Sequence, residues 1–399
     1  MSQTLAERDR YSFAVRLSLL FAALSVIIGT NLPYLPVWLD WAGLTSSEIA
    51  VITATPLMVR LVVSPMIAFA ADRSGDHRKF LIGLSWAGLA ALLALSQARG
   101  FAPILLWMLL FSLAWTTIMP LTETVAMAGV KSAGLDYGRM RLWGSLSFVA
   151  ASLIGGWVVT RAGASSAIWL VVAGAVMTIA ATHAVPRPAA TGKDGTAGTM
   201  RRTSLADAAS LAASRPFLLF LAAGGLTSAT HAVFYTFGTL HWRALGLSTT
   251  WSGALWAISI AVEVALFAYS AAVLRRVGPV QLLVLGAAAA VLRWFAMGFD
   301  PPLILLVPLQ VLHALTFGAT HLGSIHYIGR TVPETQAGTA QTLYASVTGG
   351  IFMGGAMLAS GLLYAAYAGR AYWAMAGLAV VALVAGLGLL RLSRQDGLA

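Results

Sequence analysis

From Leu17 to Leu39 the chain carries no charge at all, between Arg16 on one side and Asp40 on the other. An α-helix needs about 20 apolar residues to cross the hydrocarbon core of a bilayer. Similar runs recur at about 49–70, 80–98, 102–127, 142–160, 165–184, 216–240, 249–273, 280–299, 303–328, 338–363 and 371–391. A membrane β-barrel would show alternating segments of about ten residues instead. The first run is too long for a signal-peptide core and lacks an A-x-A cleavage site, so it is expected to be retained. The one polar interruption of any length is 185–215, with Pro186, Pro188 and a Gly/Thr/Ala-rich stretch. Within it, Ser204 to Leu211 reads as a short interfacial helix. The expected fold class is an all-α membrane protein with twelve transmembrane helices in two six-helix bundles. The bundles span 1–184 and 216–399, joined by the linker 185–215, an arrangement common in secondary transporters.

Composition narrows the function. Charged residues make up 10% of the chain and hydrophobic ones 59%, whereas soluble proteins carry about 25% charged residues. A soluble enzyme, a nucleic-acid reader and a disordered scaffold are disfavoured. The net charge of +11 is better explained by cytoplasmic loops. With the N-terminus inside, 19 Lys and Arg fall on the inner side and four on the outer: Arg99, Arg161, Arg243 and Arg370. By the positive-inside rule both termini are cytoplasmic. There is no cysteine, hence no disulfide, thiolate metal site or Cys nucleophile. The seven histidines lack metal-ligand spacing. No Walker A, H-E-x-x-H or G-x-S-x-G pattern occurs. The expectation is a non-enzyme with no cofactor and no metal, whose uphill work draws on an ion gradient or a partner.

Charges inside the apolar runs are informative, because each costs about 2.5–3.5 kcal/mol at mid-span on insertion scales. Arg60, Glu123, Glu263 and Arg293 stand out, with Arg141 near an inner end. Arg60 lies 12 residues before Asp72, roughly 18 Å deep at 1.5 Å per residue. It reads either as a structural arginine between Pro56 and Pro65 or as an anion site. Glu123 and Arg141, on consecutive runs, can pair, for packing or for substrate. Glu263 has no charged neighbour from Ala244 to Leu274 and is the leading proton-switch residue, with Glu123 the other. Arg293 is followed by His313 and His321 on the next run, eight residues apart and about 80° around a helix. His231 and Tyr235 form an i, i+4 pair. Trp256, like other aromatics, suits packing or a substrate ring.

These residues carry a resemblance. Asp72-Arg73-Ser-Gly75-Asp-His-Arg78-Lys79 resembles the loop signature G-x-x-x-D-R-x-G-x-R-R of the major facilitator superfamily, with Ala68 in place of the leading Gly. Pro33-Tyr-Leu-Pro36-Val-Trp38-Leu is similar to the P-F-F-P-I-W-L of lactose-permease-like proton symporters. Pro120, Glu123, Arg139, Arg141 and Gly144 match those permeases in type and offset. The resemblance implies a sugar-type ion pair for Glu123 and Arg141. The 3-phenylpropionate permease branch is matched over most of the chain: Pro56-x-x-x-Arg60, Tyr137-Gly-Arg-Met-Arg-Leu-Trp-Gly144-Ser, Thr230-His231-Ala-Val-Phe-Tyr235, Trp256 with Glu263, Leu292-Arg293-Trp294 and Leu312-His313 through His321. Two departures count against lactose. If His313 matches the tenth-span histidine of the lactose permeases, their coupling glutamate is replaced by Thr316. Their two seventh-span carboxylates are also missing.

The resemblance implies a major facilitator fold and proton-coupled symport of a small organic solute, first an aromatic monocarboxylate such as 3-phenylpropionate. Expected substrate contacts are Arg60, Glu123, Arg141, His231, Tyr235, Trp256, Arg293, His313 and His321. Glu263 or Glu123 carries the proton, and Asp72, Arg73 and Gly75 form a conformational gate. The alternatives are a neutral oligosaccharide or nucleoside symporter, a proton-antiport drug exporter, and a non-transporting membrane sensor or assembly factor. The expected partners are substrate, proton and lipid bilayer, not nucleic acid. The expected state is a monomer in a bacterial inner membrane.

Overall fold

The computed structural model describes residues 2–74, 76–185 and 210–395. Among them the regular structure is helical, with no strand. The long helical runs are α1 (Ser2–Trp41), α2 (Ser46–Ser74), α3 (His77–Gln97), α4 (Phe101–Ala133), α5 (Tyr137–Ala162) and α6 (Ala167–Ala184). They continue as α7 (Arg215–Ala244), α8 (Thr249–Ala268), α9 (Pro279–Met297), α10 (Leu303–Thr331), α11 (residues 334–367) and α12 (Ala371–Gln395). Ten stretches among the described residues are long and apolar enough to span a membrane, against the twelve expected. The stretch Ser46–Ser74 is helical but not among the ten, and α11 and α12 fall in a single 60-residue stretch, Gln336–Gln395. The linker lies mostly outside the described residues. Of its expected short helix, Ser204 to Leu211, the described residues are Ser210 and Leu211, and both are helical.

Two compact units form, Met1–Thr191 with Trp242–Ala257, and Gly192–His241 with Ile258–Ala399. The first half of α8 is thus counted with the first unit and the second half with the second.

In the first unit α1 packs on α5 and α6, and α4 packs on α2 and α3. Leu17, Leu20, Phe21, Leu24, Ile118 and Leu121 form its apolar core. Lipid tails are as apolar as leucine, so membrane helices associate through close packing of small residues. Gly29 shows this. Its α-carbon is so near α5 that a Cβ there would lie 2.8 Å from the Phe148 carbonyl oxygen, and the Ser152 hydroxyl donates to the Gly29 carbonyl at 3.2 Å. Gly29→Val should therefore lower stability by about 1–3 kcal/mol through overpacking, read as a fall in the thermal unfolding midpoint of the purified protein in detergent.

Local chemistry sets the helix ends. Asp76 caps α3 by accepting from the Lys79 N–H at 3.1 Å, and Asp136 caps α5 from the Arg139 N–H at 3.1 Å, which satisfies donors that a helix start leaves unpaired. Gly134 ends α4 in the left-handed region at φ 59°, which glycine adopts without a side-chain clash. Arg78 donates to the carbonyls of Val185 and His183 at 2.7 Å each, and Arg16 to that of Ala184 at 3.3 Å. Two cations thus sit at the negative end of α6.

In the second unit α9 packs on α10 and α12. Phe220 stacks on Tyr327 in a core with Phe217, Leu283, Ile328 and Leu389. Among the described residues here three stretches are π-helical: Leu221–Leu226 in α7, Ala314–Ala319 in α10 and Ser346–Met353 in α11. The wider π turn shifts every later side chain around the helix, and such turns recur at functional sites. Large apolar side chains such as Leu106, Leu146, Leu292, Leu305, Ile351 and Leu362 are exposed. Lipid, rather than water, is the solvent that suits such a surface.

Candidate functional site

The second unit holds a polar network at the centre of which is Arg293 of α9, fully buried at 0% exposure. Its Nη1 donates to His313 Nδ1 at 3.2 Å and to Thr316 Oγ1 at 3.1 Å, and its Nη2 to Gln310 Oε1 at 2.7 Å. The guanidinium carbon lies 4.5 Å from the Trp294 ring centre and 5.1 Å from that of Phe234, close enough for cation–π attraction. The Nε has no hydrogen-bond partner. None of these partners carries a negative charge.

Donor and acceptor logic fixes the two histidines. Arginine can only donate, so His313 Nδ1 accepts and its Nε2 bears the hydrogen. That Nε2 lies 3.2 Å from Glu263 Oε2, with Glu263 at 15% exposure. His231 takes the opposite tautomer. Its Nδ1–H donates to the Ser228 carbonyl at 3.0 Å, and its Nε2 accepts from the Thr316 hydroxyl at 3.1 Å. Two chains therefore leave the guanidinium, one through His313 to Glu263 and one through Thr316 and His231 to the α7 backbone. Gln310 also accepts from the Ser259 hydroxyl at 3.0 Å, and the Trp294 indole donates to Thr230 at 2.7 Å.

Arg293, His313, His231 and Glu263 are thus brought together. Tyr235 joins through its ring, 5.3 Å from that of His231. His321 is set apart: the Phe317 ring stacks between it and His313, at 6.1 and 5.4 Å. The sequence reading passed over Gln310, Trp294's contact with Thr230, and Phe234. Gln310 was detectable, because with His313 and Thr316 it forms an i, i+3, i+6 series on one helix.

The first unit holds a second, separate group. Tyr137 donates to Glu123 Oε2 at 2.6 Å, and Arg141 Nε lies 3.6 Å from Glu123 Oε1. Arg141 also covers the Phe21 ring at 5.4 Å. Both charged residues are half-buried. Arg60 is exposed and, among the described residues, has no hydrogen-bond or ion-pair partner. Trp256 is buried in this unit. Of the expected gate, Arg73 is exposed in the last turn of α2, which includes the backbone of Asp72; the Asp72 side chain and Gly75 lie outside the described residues.

The family model of the MFS_1 like family matches residues 14–375. The chain belongs to that family, within the major facilitator superfamily. It is 30% identical over 358 residues to the probable 3-phenylpropionic acid transporter of Escherichia coli (strain K12), covering 89% of this chain and 92% of that one. It is 30% identical over 329 residues to the maltose permease of Geobacillus stearothermophilus, covering 81% and 80%. Its fold is shared with the crystal structure of the nucleoside transporter NupG, at a TM-score of 0.80 and 19% identity over 95% of this chain and 99% of that one. The resemblance read from the sequence is borne out, as is an all-helical, multi-pass membrane protein of a transporter family.

Proposed function

We propose that this facilitator is a proton-coupled symporter of a small aromatic monocarboxylate, with 3-phenylpropionate as the first substrate to try. The observation that carries this reading is Arg293, a fully buried cation held only by neutral acceptors and rings. A buried charge without a counter-charge is costly. A substrate carboxylate supplies that counter-charge, and charge-assisted hydrogen bonds are roughly twice as strong as neutral ones. Phe234, Trp294, Phe317 and Tyr235 give an aromatic body apolar surface to meet. The relative named for 3-phenylpropionic acid supports the same class. Glu263, one imidazole away, takes the proton, so that anion and proton enter as a neutral pair. The turn from Asp72 to Lys79 locks one closed state. The protein acts as a monomer, with both termini in the cytoplasm of a bacterial cell and no enzymatic step.

A monoanion moving with one proton transfers no net charge. Uptake of radiolabelled 3-phenylpropionate into proteoliposomes is therefore expected to follow an imposed pH gradient, about tenfold accumulation per pH unit, and to ignore an imposed membrane potential. Absence of uptake removes this substrate.

A second reading, symport of a neutral oligosaccharide, is favoured by the half-buried Glu123–Arg141 pair with the Tyr137 hydroxyl and by the maltose permease relative. Its mark is uptake that a membrane potential of 100 mV drives, by ~2.3 kcal/mol per charge moved.

A further inference from the structure

A second titratable cluster lies apart from the Arg293 network, where α7, α9 and α11 end. His241, in the last turn of α7, is 5% exposed; its Nε2 lies 2.7 Å from Asp300 Oδ1, and its Nδ1 lies 3.2 Å from the Tyr364 hydroxyl. Asp300 belongs to the turn between α9 and α10, Tyr364 to the end of α11. Gly369, in the turn before α12, rests against both partners: a Cβ there would meet Asp300 Oδ1 and would come within 2.6 Å of His241 Nε2. The last turn of α7 and two connections of the chain, α9–α10 and α11–α12, therefore meet at one hydrogen-bonded pair.

The backbone marks the same place. Among the described residues, Asp300 (φ 53°) and Ala368 (φ 47°) are the non-glycine residues with positive φ. Such conformations are uncommon and persist only where surrounding contacts hold them, often at switch regions. Asp300 is bonded to His241, and Ala368 precedes Gly369, which lies against His241. The cluster is also continuous with the Arg293 site through rings. Tyr372 lies 6.2 Å from His241 and stacks on Trp294 at 5.8 Å, and Trp294 is the ring under the Arg293 guanidinium.

We propose that His241 and Asp300 form a proton-operated clasp, which holds the α9–α10 and α11–α12 turns together and regulates the Arg293 site. The second half of this statement rests on the transport reading above; the first does not. Histidine is the side chain whose ordinary charge change falls between about pH 5 and 8. With His241 doubly protonated, Nε2–H and Asp300 make a charge-assisted bond, and Nδ1–H donates to the Tyr364 oxygen. When His241 releases the Nδ1 proton, the Tyr364 hydroxyl turns to donate to Nδ1. Asp300 then keeps only a neutral donor, and the bond weakens. The clasp is tight with the imidazole doubly protonated and loose with it neutral. The groups facing His241 are Asp300 from the α9–α10 turn, Tyr364 from α11 and Tyr372 from α12; Arg370, in the α11–α12 turn, is exposed. By the charge count of the loops, this end of the unit faces outside, so the clasp senses external pH.

The test is hydrogen–deuterium exchange of the purified full-length protein in lipid nanodiscs, from about pH 5.5 to 8, with intrinsic exchange rates corrected for pH. In the wild type, protection of 298–303 and 364–372 should fall about tenfold as pH rises, while 282–290 stays constant. In Asp300→Asn and His241→Gln the two turns should exchange fast at every pH. A flat wild-type profile, or variants that retain wild-type protection, overturns the clasp. If a variant fails to fold, shown by lost protection throughout, the wild-type profile alone decides. In parallel, 3-phenylpropionate uptake at a fixed pH difference should depend less steeply on external pH in both variants than in the wild type; an unchanged profile overturns the regulatory half. Wild-type protein that takes up no 3-phenylpropionate counts against the transport reading and the regulation built on it, while the exchange profile still judges the clasp.

Discussion

Arg293→Met should reduce 3-phenylpropionate uptake to background while leaving the protein at least as stable as the wild type. The two halves of this expectation have opposite physical origins. Removing one partner of a buried charged contact costs about 2–5 kcal/mol of binding, which is roughly thirtyfold to several thousandfold in affinity. Arg293 offers Nε, which has no partner, and an Nη1 shared between His313 and Thr316, so an incoming carboxylate finds donors already in place. Stability moves the other way, because a buried charge with no counter-charge is costly to hold and methionine removes it. A packing arginine would show the reverse pattern, with a lowered unfolding midpoint and uptake kept in the folded fraction. Arg293→Lys separates charge from geometry. A lysine keeps one positive charge but not the planar fork, so it should fall between wild type and methionine. Uptake by the methionine variant within about twofold of wild type would remove Arg293 from the substrate site, since twofold is only ~0.4 kcal/mol.

Glu263→Gln should abolish accumulation driven by a pH gradient and spare exchange of labelled for unlabelled 3-phenylpropionate at equal pH. Glutamine keeps an oxygen that accepts from His313 Nε2–H, now at 3.2 Å from Glu263 Oε2, so the network holds. What it loses is the one group there that can gain and lose a proton while remaining an acceptor. Net uphill uptake needs that proton and gains about tenfold per pH unit from it. Exchange needs only that the loaded site turn over. If both activities are lost together, Glu263 serves substrate binding or packing. If both survive, the proton is carried elsewhere, with Glu123 the next residue to substitute.

How much of this was legible in the sequence differs from residue to residue. Arg293, Glu263, His313 and His231 were visible because an ionisable group in an apolar run is expensive and therefore rare. Thr316, Trp294 and Phe234 complete the site but are ordinary residues for a membrane helix, and nothing in composition raises them above the background; Gln310 is marked only by its spacing from His313. The π-helical turns were not legible at all. A hydrophobic run of a given length suits either helix type, yet each wide turn rotates the residues after it, and with them Thr316 relative to His313. Trp256 and Glu263 sit seven residues apart on α8, a spacing that puts them on one face, but the compact units divide that helix at Ala257 and Ile258. Arg60, conspicuous in sequence, is exposed and has no polar partner among the described residues, while the unremarked His241 is buried against Asp300.

The sequence by itself determined the helical membrane class, most of the span positions and the family. Those depend on transfer of side chains from water, which acts over neighbouring residues. The tertiary structure alone decided what Arg293 faces. Its acceptors lie 17 to 23 residues away on α10, and the further links reach α7 and α8. Which neutral atoms surround a buried cation is settled by how helices pack, and helix packing in a membrane follows shape and small-residue contacts that apolar periodicity does not record.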